Sequence, residues 1–296
     1  IYTLSLHDAL PIWSARHELH FNKRFGQNFL IDDHILDKIA RAGDLTPTDT
    51  VIEIGPGIGT LTRELSARAG QVIAVEIDHK LIPALGETLA DCGNVHVVNA
   101  DVLKTDLAAL VAEAAPGTAR LKVVANLPYY ITTPIMMQLL ETRWPDGVAL
   151  AQMVFLVQKE VGERICAAPG GKIYGSLSIA CQYYARPEIA FAVPATVFMP
   201  RPKVDSVVIA MKKTAPPYAP SDPAQFFRVV KAAFMNRRKT LINSLSANTA
   251  YTKEQLLAAM AAAGINPKVR AEKLDGTGFC ALANALTALE KSPDAC

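Results

Sequence analysis

From Val51 onward the chain alternates short apolar runs with stretches of helical periodicity. Residues 50–54, 71–76, 95–99, 121–125 and 152–157 are mostly aliphatic, and each reads as a strand buried on both faces. Helical patterns follow the first two, through about residue 68 and over about 78–90. This alternation predicts a parallel sheet covered by helices, a Rossmann-like α/β fold. Residues 189–193 and 206–211 read as two later strands, expected as a hairpin-like pair.

The pattern changes at residues 214–220, where three prolines in seven positions predict a stiff connector. Beyond it the periodicity is helical, at 226–245, 253–263 and 279–289, with Asn266-Pro267 and Gly276-Thr277-Gly278 as separators. A sheet domain over 21–214 and a small all-helical domain over 215–296 are expected. Residues 1–20 stand apart: they lack a basic stretch, and Asp8 interrupts their apolar run, so they do not read as a secretory signal. The preferred reading is a non-native leader, and the other is a natural disordered tail.

Composition narrows the class. Of 296 residues, 50% are hydrophobic and 20% charged, as in a globular chain. The net charge of +2 is too small to mark a nucleic-acid partner, so any basic surface must come from local clustering. Five cysteines form no C-x-x-C pair and have no histidine at zinc-finger spacing, which argues against structural zinc or a disulfide framework and suits a reducing cytoplasm. No metal site is expected. No apolar run reaches the roughly 18 residues of a membrane span.

The candidate chemistry sits where strands end. Gly55-Pro56-Gly57-Ile58-Gly59 follows the first strand, and its glycines let backbone approach a ligand closely. Thr60 stands where a nicotinamide fingerprint has its last glycine, which disfavours a hydride-transfer enzyme. Glu76 ends the second strand, placed to accept hydrogen bonds from ribose hydroxyls, and Asp101 follows the third, placed to accept one from an adenine amine. Either acid alone reads equally as a cap or a solvated turn residue. Asn126-Leu127-Pro128-Tyr129 follows the fourth strand. There an Asn oxygen and a backbone carbonyl can accept hydrogen bonds from an exocyclic amine, Pro128 sets the turn, and the Tyr129 ring can stack on a base. Three successive strand ends with suitable groups point to S-adenosylmethionine, with S-adenosylhomocysteine as product, and to methylation of an adenine amine. Phe198, in an irregular proline-flanked loop, is the preferred partner in an aromatic clamp around a flipped adenine, ahead of Phe191.

These motifs resemble the KsgA/RsmA family of ribosomal RNA adenine dimethyltransferases. Arg24-Phe25-Gly26-Gln27-Asn28-Phe29-Leu30, Glu53-Ile54-Gly55-Pro56-Gly57 and Asn126-Leu127-Pro128-Tyr129 match in order. So do Gln158-Lys159-Glu160-Val161, Tyr174-Gly175-Ser176-Leu177-Ser178, Pro200-Arg201-Pro202-Lys203-Val204-Asp205-Ser206 and Asn236-Arg237-Arg238-Lys239-Thr240. The resemblance implies cofactor contacts from Asn28, Leu30, Gly55, Glu76, Asp101 and Asn126; Gly57, Ile77 and Val102 are added beside them. Residue patterns alone would make the segment of Asn28 and Leu30 a helix lead-in. The resemblance also implies two methyl transfers to each of two adjacent adenines near the 3′ end of 16S ribosomal RNA; the expected partner is that RNA within a small-subunit assembly intermediate, and the chain is expected to be a monomer. Tyr130, where Asn is common, and Arg201, where Pro is common, depart from the pattern and bear on target-loop packing.

A helical wheel over 226–241 puts Phe227, Val230, Phe234 and Leu241 on one stripe and Arg228, Lys231, Arg238 and Lys239 on another face, with Arg237 apart. That basic face is the expected RNA contact, against the alternative of a solvated helix face. Two other functions stay open: a dimethyltransferase of large-subunit RNA, and a binding factor in subunit assembly that uses the fold without catalysis.

Overall fold

The computed structural model describes residues 28–291, so the expectations for residues 1–20 and for the motif positions before Asn28 fall outside the described residues. The chain divides into two compact units: residues up to Gly162 with Glu188–Lys213, and Glu163–Pro187 with Thr214 onward.

In the first unit, β1 (Phe29–Leu30) leads into α1 (Asp33–Ala42), β2 (Asp49–Ile54), α2 (Thr60–Ser66) and β3 (Gln71–Glu76). Then come α3 (Ile82–Thr88), β4 (Val95–Asn99), α4 (Leu107–Ala114), β5 (Arg120–Asn126), α5 (Thr132–Glu141) and β6 (Ala149–Gln158). α6 (Lys159–Ile165) crosses the boundary between the units, and α7 (Ser176–Tyr184) precedes β7 (Ala185–Val193), β8 (Phe198–Met199) and β9 (Ser206–Lys213). One seven-stranded sheet has the order β4-β3-β2-β5-β6-β9-β7. Its β4, β3, β2, β5 and β6 are mutually parallel, and β9 runs antiparallel to β6. The two late strands are neighbours, as expected, with β9 inserted against β6.

The aliphatic runs become central strands because both their faces are covered. Val51, Ile52, Val72, Ile73, Val123, Val124, Val154 and Phe155 are fully buried. Strand order reverses between β2 and β5, so the loops after β2, β3, β4 and β5 gather at one carboxyl edge. A switch point of this kind opens a crevice for ligands. At the opposite end of β5, Lys122 is 1% exposed. Its ammonium pairs with Asp49 at 3.0 Å and donates to the carbonyls of Gly43, at 3.0 Å, and Asp44. Gln152 Nε2 donates to the Ala42 carbonyl at 2.8 Å. The last carbonyls of α1, unsatisfied by the helix itself, are thereby tied to the sheet.

Three expectations need correction. Residues 163–187, assigned to the sheet domain by pattern, cluster with the helical unit, because Tyr174, Ile179 and Tyr183 bury themselves against Phe226, Val230 and Phe279. The single helix expected over 226–245 is two, α8 (Pro223–Met235) and α9 (Leu241–Asn248). Asn236 closes a turn with Lys239 N, and Leu241 N turns to the Val269 carbonyl at 2.7 Å. α10 (Lys253–Ala262) follows. Gly276-Thr277-Gly278 opens α11 (Gly276–Lys291) and does not separate helices. There Asp275 caps the Gly278 amide at 2.8 Å, and a Cβ at Gly276 would collide with the Tyr218 ring. Among the described residues no helix is long and apolar enough to cross a membrane.

Candidate active site

The carboxyl edge of the first unit holds a solvent-open cleft whose lining includes Asn28, Leu30, Gly55, Gly57, Glu76, Ile77, Asp101, Val102, Asn126, Leu127, Pro128 and Tyr129. The structure thus brings together every proposed cofactor residue and the target-amine tetrapeptide. Phe29, Glu53, Pro56, Thr60, Tyr130 and Ile131 also line it.

Gly55 and Gly57 adopt φ of +70° and +63°, in the left-handed region that a Cβ disfavours. A Cβ at Gly57 would lie 3.0 Å from the Phe29 ring, so this backbone is as close to its neighbours as a bare glycine allows. Gly57 N donates to Glu76 Oε2 at 3.1 Å, and Asp78 N to Oε1 at 2.8 Å. Burial pushes the Glu76 carboxyl up, against the pull of these amides. Asp101 accepts from Leu103 N at 3.1 Å as the cap of a single 3-10 turn. The cap role and the cleft position belong to one side chain.

β1 pairs antiparallel with β8, Leu30 opposite Phe198 and Phe29 opposite Met199. The segment read from residue patterns as a helix lead-in is therefore a two-residue strand, held over the cleft. This pairing corrects the reading of Phe198. It is a strand residue, 3% exposed, packed in the core with Leu30, Leu36, Val193 and Val208. It presents no stacking face, so Phe198→Ala acts through β1 and should loosen cofactor binding and slow methylation together. Phe191 packs partly buried against the same core, with the Lys38 ammonium 4.2 Å from its ring centroid.

At the tip of β5, Asn126 Nδ2 donates to the Asn28 carbonyl at 3.1 Å. Pro128's carbonyl accepts from Ile131 N at 3.2 Å and Thr132 Oγ1 at 3.1 Å, closing the turn into α5. The Tyr129 hydroxyl lies 2.6 Å from Ser206 Oγ at the start of β9. Burial raises its pKa above the ordinary value for tyrosine, so the phenol stays neutral.

Glu53 was not singled out as a site residue from sequence, where it stood only as the first residue of the Glu53-Ile54-Gly55-Pro56-Gly57 match. It is 1% exposed, and its Oε2 has no hydrogen-bond partner. Burial pushes its pKa up to about 8, the neighbouring Thr62 hydroxyl opposes the rise, and the charge of Glu76 adds to it. The folded protein therefore holds this proton to a higher pH than the unfolded chain. The stability this confers is full below the unfolded value near 4.5 and is lost as pH rises through about 8. Without cofactor, the thermal unfolding midpoint should fall between pH 5 and 9 by several degrees, and Glu53→Gln should flatten the fall. A wild-type midpoint that rises across this range would contradict the assignment.

The residues present fit a nucleoside cofactor with a cationic end: a turn with Gly55 and Gly57 at positive φ, two acids at neighbouring strand tips, and a buried carboxyl with an unpaired oxygen. Fold and site together define the class, a Rossmann-like methyltransferase dependent on S-adenosylmethionine. Within that class the chain belongs to the ribosomal RNA adenine dimethylase family, whose model matches residues 18–288. It is 50% identical over 279 residues to a ribosomal RNA small subunit methyltransferase A of Geobacillus thermodenitrificans, covering 93% of this chain and 94% of that one. The protein of the same name from Streptococcus pneumoniae is 50% identical over 92% of this chain and 93% of its own. Among solved structures, a dimethyladenosine transferase from Plasmodium falciparum matches with TM-score 0.69 and 25% identity, covering 85% of this chain and 94% of that chain. The 23S rRNA methyltransferase ErmE matches with TM-score 0.65 and 26% identity, over 88% and 99%.

The second unit holds the residues proposed for RNA, but not on one helix face. α8 ends at Met235, which leaves Arg237, Arg238 and Lys239 in the loop before α9. Arg228 and Lys231 remain on α8, where Gln225 Oε1 accepts from Arg228 Nε at 2.9 Å and Nη2 at 2.6 Å. Arg237 is exposed like its neighbours but ties two loops: its Nη2 donates to the carbonyls of Lys172 at 2.5 Å and Tyr174 at 2.7 Å. The Leu241–Val269 backbone bond and the Gly170 N to Glu272 carbonyl bond, 2.6 Å, bring two further loops alongside. Lys172, Arg238, Lys239, Lys268, Arg270 and Lys273 are all exposed on these three loops. Only Arg238 and Lys239 among them were chosen from sequence. The others come from separate chain segments with no shared periodicity.

Proposed function

We propose that this chain dimethylates the N6 amines of two adjacent adenines near the 3′ end of 16S ribosomal RNA, acting as a monomer on an assembly intermediate of the small subunit in the cytoplasm. Identity of 50% to small-subunit enzymes, against 26% to a 23S enzyme, supports the small-subunit target. The observation that carries the chemistry is the Asn126 side chain. Asn126 lines the cleft, and its Nδ2 donates to the Asn28 carbonyl, which leaves Oδ1 as the acceptor of this amide. Oδ1 and the Leu127 carbonyl then accept the two hydrogens of an adenine amine, hold its nitrogen, and favour the more tetrahedral geometry in which its lone pair is available. Pro128 fixes the turn, and Tyr129 offers its ring to the base. Asn28, Leu30, Gly55, Gly57, Glu76, Ile77, Asp101 and Val102 hold the cofactor, which supplies an activated methyl group. Positioning carries much of the barrier reduction, and no side-chain base is required. Labelled methyl transfer to unmethylated small and large subunits tests the target: label confined to small-subunit RNA supports it, and label in large-subunit RNA overturns it.

Phosphate contact is assigned to Arg238 and Lys239 with the neighbouring loop cations, and Arg237 is assigned to hold the loops together. Arg238→Ala should weaken subunit binding and lower the salt slope of log K by about 1. Arg237→Ala should weaken binding with a smaller change of slope, because it removes a strut and no phosphate contact. Equal slope changes in binding titrations would contradict this division.

A further inference from the structure

A base turned into this cleft needs flat surfaces on which to stack, and the aromatic residue expected to add one, Phe198, is in the core. Tyr129 is half-buried, with its hydroxyl fixed on Ser206. Tyr130 differs from both. It lines the same cleft yet is 57% exposed. The carbonyl of Pro128 and the amide of Ile131 close a turn at 3.2 Å, with Tyr130 at its third position. A large aromatic group held at the mouth of a nucleic-acid cleft by a rigid turn is a stacking platform, because every base has a π-face.

We propose that Tyr130 is a specificity-determining residue that stacks on the unpaired base flanking the adenine bound against Tyr129. This rests on the proposed function. Two neighbouring tyrosines, one inside the cleft and one at its mouth, then address two neighbouring bases. The neighbour differs for the two adenines, since each adenine flanks the other on one side only. Tyr130 therefore biases which of them is methylated first.

The test uses the full chain, unmethylated small subunits and saturating S-adenosylmethionine. Tyr130→Ala should raise KM for subunits roughly ten-fold, with the loss falling on KM rather than kcat and no change in cofactor Kd. Tyr130→Phe and Tyr130→Trp should restore KM, because stacking needs a ring and no hydroxyl. Mass mapping of partially methylated RNA should show a changed ratio between the two adenines with Tyr130→Ala. An unchanged KM, a cofactor Kd that rises in parallel, or failure of Tyr130→Phe to rescue would each overturn the proposal. If the wild-type chain leaves small-subunit adenines unmodified, the proposed function itself fails, an outcome distinct from a Tyr130 effect that is absent while wild-type methylation is normal.

Discussion

Asn126→Ala should lower the rate of methyl transfer by roughly 10²–10³-fold, the scale seen when one preorganised hydrogen-bonding group is removed from a reacting centre. The substitution removes the Oδ1 acceptor and also the Nδ2 bond to the Asn28 carbonyl at 3.1 Å. The first loss leaves the amine free to keep its lone pair in the ring. The second loosens β1, so cofactor affinity should fall too, but much less than the rate. Asn126→Asp separates the two effects. It keeps an acceptor oxygen but sets a carboxylate against the Asn28 carbonyl, so cofactor binding should suffer more than in Asn126→Ala. Single-turnover methylation at saturating cofactor, beside a cofactor titration, reads both quantities. A rate within a few-fold of wild type for Asn126→Ala would remove Asn126 from the reacting centre.

Lys122→Ala should destabilise the fold by about 3–5 kcal/mol, the range for breaking a buried pair by removing one partner. Asp49, buried beside it, would keep its charge without the ammonium 3.0 Å away. The carbonyls of Gly43 and Asp44 would lose their donor as well. Lys122→Met, which keeps the stem and loses the charge, should be nearly as damaging, because the buried carboxylate then keeps only the solvent-exposed Arg120 guanidinium, 3.2 Å away, and the Thr46 amide and hydroxyl as partners. Denaturant unfolding monitored by circular dichroism measures it. A loss below about 1 kcal/mol would mean that water or backbone movement replaces the ammonium. The effect reaches function indirectly, since α1 hangs between this tie and the segment of Asn28 and Leu30 that lines the cleft.

The sheet was legible because its strands are buried on both faces and end in turns rich in glycine, acids and Asn-Pro. Gly55, Glu76, Asp101 and Asn126 each stand at such an end, so one rule about strand tips placed them in a common cleft. Asn28 and Leu30 obey no such rule. A two-residue strand is too short to leave a period, and its partner β8 lies far along the chain. Phe198 was misread for the same reason: flanking prolines suggested a loop, while the pairing that buries it is nonlocal. The break after Met235 was hidden because the apolar spacing runs on to Leu241 without a proline or glycine to interrupt it. Glu53, noted only as the first residue of the Glu53-Ile54-Gly55-Pro56-Gly57 match, and Lys122, inside an aliphatic run, gave no local sign of their roles, because their partners come from distant parts of the chain. Burial turns the first into a proton holder and the second into a tie.

The most direct measurement is mass mapping of the ribosomal RNA after the purified chain has acted on unmethylated small subunits with S-adenosylmethionine. Two adjacent N6,N6-dimethyladenosines near the 3′ end, with no modification elsewhere, are the expected result. Methylation at another base, or at an adenine of large-subunit RNA, would contradict it.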